Sequence, residues 1–467
     1  MTTPAMATAS VRFSGPRDGQ APLTWGQRLM WRAVHLMGPS QSFLNCPWVL
    51  PVHGRRDLAT VLGALRRMLE RHESLRTTFI DTPDGPVQRV ARSGELTVEL
   101  VRTDPDGPLA TAGRIAAELG TTIFDHGADL PLRCAVVMAD GRPRALALVF
   151  SHLAVDYQAL SLLSGEWRAL LRGDDLPAPP WQPMEQAALE REEPFQARSR
   201  RSIRYWRKVL ETVPLEVFDH PPGEPEDPRF IEVGMESVAL AAAAVRLAER
   251  LSISTTSVLI AGCATVLAVA SGRPRAVMQL VHSNRRDPRT RPLVATVGQD
   301  ALLVLDLPET GFTDTCLAAH HSALMAYRNA VYDPFEMTAM REEIGRIRGG
   351  EPDLDAFFND RRGEGTWPNL PRLGEDLTPL TAKTRTYVTN AWPGVRFKAF
   401  FTLGTAPDTG QLSLIIDTAY LTRQTATAML RAVETLLVRT CTEDVPIAAV
   451  KDLVPPADTG IAPRSRT

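Results

Sequence analysis

The sequence is poor in the features that would brace or charge a protein. Cysteine is scarce: five in 467 residues (Cys46, Cys134, Cys263, Cys316 and Cys441), scattered and with no Cys-x-x-Cys pair. That pattern argues against a disulfide framework or a zinc site and suits a reducing compartment. No sign of charge dominates, since 52 Lys and Arg face 54 Asp and Glu for a net charge of -2. A basic face for nucleic acid is therefore not expected. No apolar run reaches the ~20 residues a membrane-crossing helix needs; the longest, Val258 to Ala270, reads as a buried core helix. The N-terminus lacks a basic patch followed by an apolar run, so no secretory signal is expected and the cytoplasm is the expected location. The chain also lacks a phosphate-gripping Gly-Lys loop, a GxGxxG after a strand and a GxSxG elbow. No metal or organic cofactor is implied. Adenylation and carrier-protein motifs are absent as well, which makes a freestanding protein the expectation.

What is present is a globular composition, 44% hydrophobic and 23% charged, at a length that suits two substantial lobes. Asp57 sits where an N-cap belongs, followed by Leu58, Val61, Leu62, Leu65, Met68 and Leu69 at helical spacing. Residues 132–138 and 145–150 are apolar runs around Asp140-Gly141 and read as a hairpin of buried strands. Residues 158–171 then read as a helix. The stretch 172–200 is rich first in proline and then in charge and reads as the connection between lobes. The second half alternates again: helices at 201–210, 240–251, 256–270, 313–331, 335–347 and 422–440, strands at 276–282, 300–306, 354–358, 383–389, 396–404 and 411–417. The expected organisation is a loose segment 1–22, a first lobe 23–180, a second lobe 181–452 and a loose tail 453–467. Two halves of similar content fit a pseudo-duplicated α+β protein.

The segment that carries chemistry is Ser151-His152-Leu153-Ala154-Val155-Asp156-Tyr157, between a buried strand and a helix. A loop held at a strand end is a rigid place for a reactive side chain. A histidine there can take a proton from an amine or hydroxyl near neutral pH. Alone, a His near an Asp is more often a structural residue. Among the other histidines, His320 and His321 lie inside a helix, His72 ends one, and His282 ends an apolar strand as the second candidate.

Ser151 to Tyr157 resembles the His-His-x-x-x-Asp-Gly signature of the condensation domains of nonribosomal peptide synthetases and their acyltransferase relatives. Four further segments agree in order: Pro22 to Trp31, Arg71 to Phe79 (Arg-His-Glu-Ser-Leu-Arg-Thr-Thr-Phe), Tyr205-Trp206-Arg207, and Ser283-Asn284-Arg285 with Val297 to Val304. The resemblance implies two chloramphenicol-acetyltransferase-like lobes in a V-shaped pseudo-dimer around a central channel. It implies an acyl donor arriving as a thioester on the phosphopantetheine arm of a carrier protein in trans, and an amine or alcohol acceptor from the other side. No bound cofactor is implied, and a pseudo-dimeric fold can act as a monomer. It makes His152 the catalytic residue, as base or as orienting group, and Asp156 a structural residue paired with an arginine, for which Arg285 is the candidate. Trp25, His282, Asn359, Arg361 and Trp392 are candidate channel residues; Arg361 and Arg362 would meet a phosphate or an acidic helix.

The sequence departs from the signature at both ends. Ser151 replaces its first histidine and can still hydrogen bond; Tyr157 replaces its glycine, where close approach is usual. Three uses follow: amide- or ester-forming acyl transfer; a catalytically inactive module that recruits a carrier or tailoring enzyme, with Tyr157 closing the channel; and an epimerase-like base, which needs a second acid or base that the sequence does not supply.

Overall fold

The computed structural model describes residues 7–103, 106–362 and 365–454. Its contacts divide the chain into two units, one of residues up to 197 together with 283–299, the other of 198–282 together with residues from 300 on.

The first unit is built on a five-stranded sheet in the order β1 (Ala7–Ser14), β6 (Ser93–Arg102), β7 (Leu132–Ala139), β8 (Arg142–Ser151), β3 (Asn45–Pro51). β6 and β7 run parallel and the other neighbours antiparallel. A three-stranded sheet runs β2 (Gly19–Pro22), β5 (Val87–Val90), β4 (Thr77–Ile80). The helices are α1 (Trp25–Met37), α2 (Leu58–Arg71), α3 (Pro108–Gly120), α4 (Tyr157–Arg172), α5 (Pro183–Glu190) and the start of α6 (Glu193–Leu210).

The unbroken apolar runs of β7 and β8 follow from burial on both faces. Cys134, Val136, Leu146, Leu148 and Phe150 join the core under α2 and α4, while Ala135, Val137, Ala145 and Ala147 join the cluster under α3. The small residues fall on the α3 side, so that helix can lie close. Asp140 and Gly141 both take positive φ, 51° and 71°, the geometry of a tight hairpin turn. Asp57 caps α2 by accepting from the Thr60 N–H at 2.8 Å.

Three expectations are corrected here. Residues 7–14 and 19–22, expected to be loose, are strands; β1 pairs with β6 from Ala7↔Leu100 to Ser14↔Ser93 and buries Val11 and Phe13. The expected connection 172–200 contains α5 and the start of α6, with Pro183 in the first turn of α5 and a Gln182–Glu185 capping box. The lobe boundary at 180 is also displaced: 181–197 and 283–299 belong with the first unit. Arg285 is the physical reason for the second return, as described below.

The second unit has a seven-stranded sheet in the order β11 (Gln299–Asp306), β10 (Arg275–His282), β12 (Ala356–Asp360), β14 (Ala399–Leu403), β15 (Gly410–Asp417), β9 (Phe230–Ser237), β13 (Arg385–Trp392). Its helices are the rest of α6, α7 (Val238–Leu251), α8 (Thr255–Ala270), α9 (Phe312–Arg328), α10 (Pro334–Arg348), the single turn α11 (Thr378–Thr381) and α12 (Arg423–Thr440). α8 is buried continuously from Ser257 to Ala268, as its apolar run predicts. Gly262 keeps it close to α12, since a Cβ there would lie 3.1 Å from a Val433 methyl and 3.0 Å from one of Leu437. Among the described residues no single helix is long and apolar enough to cross a membrane. Of the expected loose tail, Val454 is buried in this unit's core, and 455–467 lie outside the described residues.

Candidate active site

β8 ends at Ser151, in register with Asn45 of β3, and the chain turns through His152–Ala154 before Asp156 caps α4. Leu153, Ala154 and Val155 are fully buried, whereas His152 is half-buried. The turn is tied at each step. Ser151 N–H donates to the Pro131 carbonyl at 3.0 Å, and the Ser151 carbonyl accepts from Ala154 N–H at 3.0 Å and Val155 N–H at 3.3 Å. Ser74 Oγ donates to the Ala154 carbonyl, and Thr296 Oγ1 donates to the His152 carbonyl. His152 is therefore carried on a backbone fixed from two directions.

Asp156 is the hub. Its Oδ1 accepts from Ala159 N–H at 2.8 Å as the cap of α4 and from Arg285 Nη2 at 2.7 Å. Its Oδ2 accepts from the same Nη2 at 2.9 Å and from Val297 N–H at 3.1 Å. Arg285 in turn donates to the carbonyls of Thr290 (2.6 Å), Leu293 (2.7 Å) and Ala295 (3.0 Å). Both residues are 8% exposed. One buried ion pair thus folds the 283–299 loop around a guanidinium and binds it to the residue that starts α4. The pairing of Asp156 with Arg285 suggested by the resemblance is present.

Tyr157 opens α4, and its ring meets Trp48 edge-on with centroids 5.6 Å apart. Trp48 is itself fixed, donating from Nε1 to Ser164 Oγ at 2.8 Å, two turns further along the same face of α4. The tyrosine ring thus has a packed place within the first unit. Trp25 is not an open wall: it is 3% exposed, its N–H donates to Glu190 Oε2 at 2.7 Å, and its ring lies 6.1 Å from Phe195. Beside it, a Cβ on Gly26 would come within 2.3 Å of the Thr296 carbonyl oxygen, so α1 starts hard against the 283–299 loop.

The remaining candidates lie in the second unit. His282 ends β10 with its ring stacked on Tyr327 at 4.7 Å. Asn359 lies on β12 opposite Thr402. Trp392 ends β13 opposite Phe230. Arg361 is exposed, and its N–H donates to the Leu403 carbonyl at 3.1 Å. Arg362 is corrected as a candidate contact for phosphate: it is 7% exposed, its Nε and Nη2 donate to Asp360 at 2.9 and 2.6 Å, and it lies 3.9 Å over the Trp367 ring. His72 is likewise a buried structural residue, 2.6 Å from Glu166. Among the described residues no group of three or more His, Cys, Asp and Glu could hold a metal ion.

Sequence reasoning missed His126. Its Nδ1 lies 3.4 Å from Ser151 Oγ, which also accepts from Leu153 N–H at 3.2 Å. Burial pushes this imidazole down to about 4, against the pull of Asp125 and Asp129. No local pattern marks it; only its place beside Ser151 does.

The condensation-domain family model matches residues 17–298, more than half of the chain. The chain belongs to the condensation-domain family. Among curated relatives, the isonitrile lipopeptide synthase of Mycobacterium tuberculosis is 25% identical over 416 residues, 82% of this chain and 16% of the relative. The probable non-canonical nonribosomal peptide synthetase CymA of Salinispora arenicola is 30% identical over 213 residues, 43% of this chain and 3% of the relative. The chain thus spans a small part of these synthetases. Among solved structures, the X-domain from teicoplanin biosynthesis matches with a TM-score of 0.71 at 18% identity, covering 93% of this chain and 98% of that one. SgcC5 from Streptomyces globisporus matches with a TM-score of 0.69 at 18% identity, covering 91% and 100%. At these identities the structural likeness establishes the family's α+β fold. His152, Asp156 and Arg285, the residues singled out by the resemblance, all lie within the matched range.

Proposed function

We propose that this condensation-family chain transfers an acyl or peptidyl group from the thioester of a carrier protein, supplied in trans, to an amine or alcohol. The observation that carries the reading is the mounting of His152: half-buried, at the end of an interior strand, on a turn that leads into the Asp156–Arg285 pair. His152 takes the proton of the attacking N–H or O–H, or orients that group. The nucleophile adds to the thioester carbonyl, the C–S bond breaks as the amide or ester forms, and the proton passes to the departing thiolate. General-base help of this kind is worth ~10²–10⁴ in rate, and orientation adds to it. The packing of Tyr157 on Trp48 supports this reading, because it gives the replacing ring a resting place within its own unit.

Recruitment without chemistry is favoured by one observation. The teicoplanin X-domain, solved in complex with OxyB, matches this chain with a TM-score of 0.70. The deciding experiment is intact-protein mass spectrometry of acyl-loaded carriers incubated with the chain and a panel of amines and alcohols. Acceptor-dependent loss of the acyl group from the carrier, with the coupled product, supports transfer. Carriers left loaded with every acceptor, together with stable binding of a carrier or tailoring enzyme, would replace it with recruitment.

A further inference from the structure

Ser151 stands where the family signature has its first histidine, and it is 1% exposed. A buried hydroxyl must place its hydrogen on an acceptor. Its oxygen already accepts from Leu153 N–H at 3.2 Å, and Nδ1 of His126 lies 3.4 Å away. His126 comes from the loop between α3 and β7, and that loop is held firmly. The His126 carbonyl accepts from Phe79 N–H at 2.7 Å, Asp125 N–H donates to Asp129 Oδ2 at 3.0 Å, and Gly127 N–H donates to Asp125 Oδ1 at 3.0 Å.

Whether Nδ1 accepts depends on the charge of the ring, because imidazolium has two donors and no acceptor. The surroundings favour the neutral form. The ring is largely desolvated, and the Arg133 guanidinium sits 3.8 Å over Phe124, whose ring stacks with His126 at 6.1 Å. A fixed cation therefore lies one ring away. His35 disfavours charge too, while Asp125 and Asp129 favour it and are outweighed. A neutral imidazole has one acceptor nitrogen.

We propose that neutral His126, protonated at Nε2, is a positioning residue: its Nδ1 takes the Ser151 hydroxyl hydrogen, turning the Ser151 oxygen onto Leu153 N–H and setting the turn that carries His152. The imidazole absent from the first signature position is supplied from a different loop. The functional consequence rests on the reading of His152 as the reacting group; the hydrogen-bond relay does not.

The test is long-range ¹H–¹⁵N correlation spectroscopy of the full chain labelled at histidine nitrogens, at pH 7. His126 and His152 are assigned by loss of their signals in His126→Asn and His152→Ala. The expected result is an unprotonated Nδ1 and a protonated Nε2 at His126. Ser151→Ala should move both the His126 Nδ1 signal and the His152 signals, and Ser151→Thr, which keeps the hydroxyl, should restore them. His126→Asn, whose side-chain oxygen can stand near the Nδ1 position, should leave the His152 signals near wild type, while His126→Leu should move them as Ser151→Ala does. A protonated Nδ1 in the wild type overturns the proposal, as do His152 signals indifferent to Ser151→Ala and His126→Leu in folded protein. If Ser151→Ala does not fold, the wild-type tautomer and the Asn-versus-Leu contrast decide. The readout is a nitrogen shift, so it stands whether or not the chain turns over an acyl substrate.

Discussion

Replacing Asp156 probes the joint on which the site depends, and the structure gives the size of the effect. The wild-type carboxylate makes a two-oxygen contact with Arg285 at 2.7 and 2.9 Å, caps α4 through Ala159 at 2.8 Å and accepts from Val297 at 3.1 Å. Asp156→Asn keeps an oxygen for the cap, and Asn caps about as well as Asp. It removes the charge and leaves the Arg285 guanidinium buried without its counter-ion. Breaking a buried pair by removing one partner typically costs ~3–5 kcal/mol. Asp156→Ala also loses the cap, ~1 kcal/mol, and strands the Val297 N–H, ~1–3 kcal/mol. The expected order of stability is wild type, then Asp156→Asn, then Asp156→Ala. The double variant Asp156→Ala with Arg285→Ala should lose less than the sum of the single losses, because it leaves no unpaired charge. Urea unfolding followed by fluorescence measures the order, and hydrogen exchange at Val297 localises it. Loss in Asp156→Asn within ~0.5 kcal/mol of wild type, or strictly additive single losses, would refute the argument that this pair holds the 283–299 loop.

Gly26→Ala should be among the costlier small substitutions, ~1–3 kcal/mol or more, because its Cβ would lie 2.3 Å from the backbone oxygen of Thr296 and neither backbone can yield easily; thermal unfolding beside Gly63→Ala, where nothing lies within 4 Å, checks it. In the second unit, burial and the neighbouring Asp353 push Asp355 up to about 6. A carboxyl raised above its unfolded value costs stability above that pKa and ceases to do so once both states are protonated. Asp355→Asn should therefore stabilise the protein at pH 8, by on the order of 2 kcal/mol, and lose that advantage as pH falls from 6 towards 4. Urea midpoints at pH 8 and pH 4 measure it, and an equal effect at both would refute the assignment.

Where the sequence carried its own reasons, the fold was legible. The β7–β8 hairpin and α8 were visible as apolar runs too long to be exposed, and α2 as a single apolar face. The His152 loop was legible because a buried strand and a helix bracket it. What escaped was fixed by distant partners. Val11 and Phe13 form one buried stripe only because β6, some eighty residues on, lies beside them. The polar α5 and α6 resemble a linker in composition, and their order comes from caps and packing. The 283–299 loop was assigned to the wrong unit because its allegiance rests on one guanidinium reaching Asp156. His126 stands in a short polar loop, and its meaning arises only where that loop passes under Ser151.

The most direct test of the central claim is the single-turnover rate of acyl transfer by the wild type and by His152→Ala, with the same acyl-loaded carrier and acceptor. Because His152 is half-buried and its turn is held by backbone contacts, the variant should fold normally. The rate should fall ~10²-fold or more with carrier binding unchanged. Equal rates from the two folded proteins would contradict that claim.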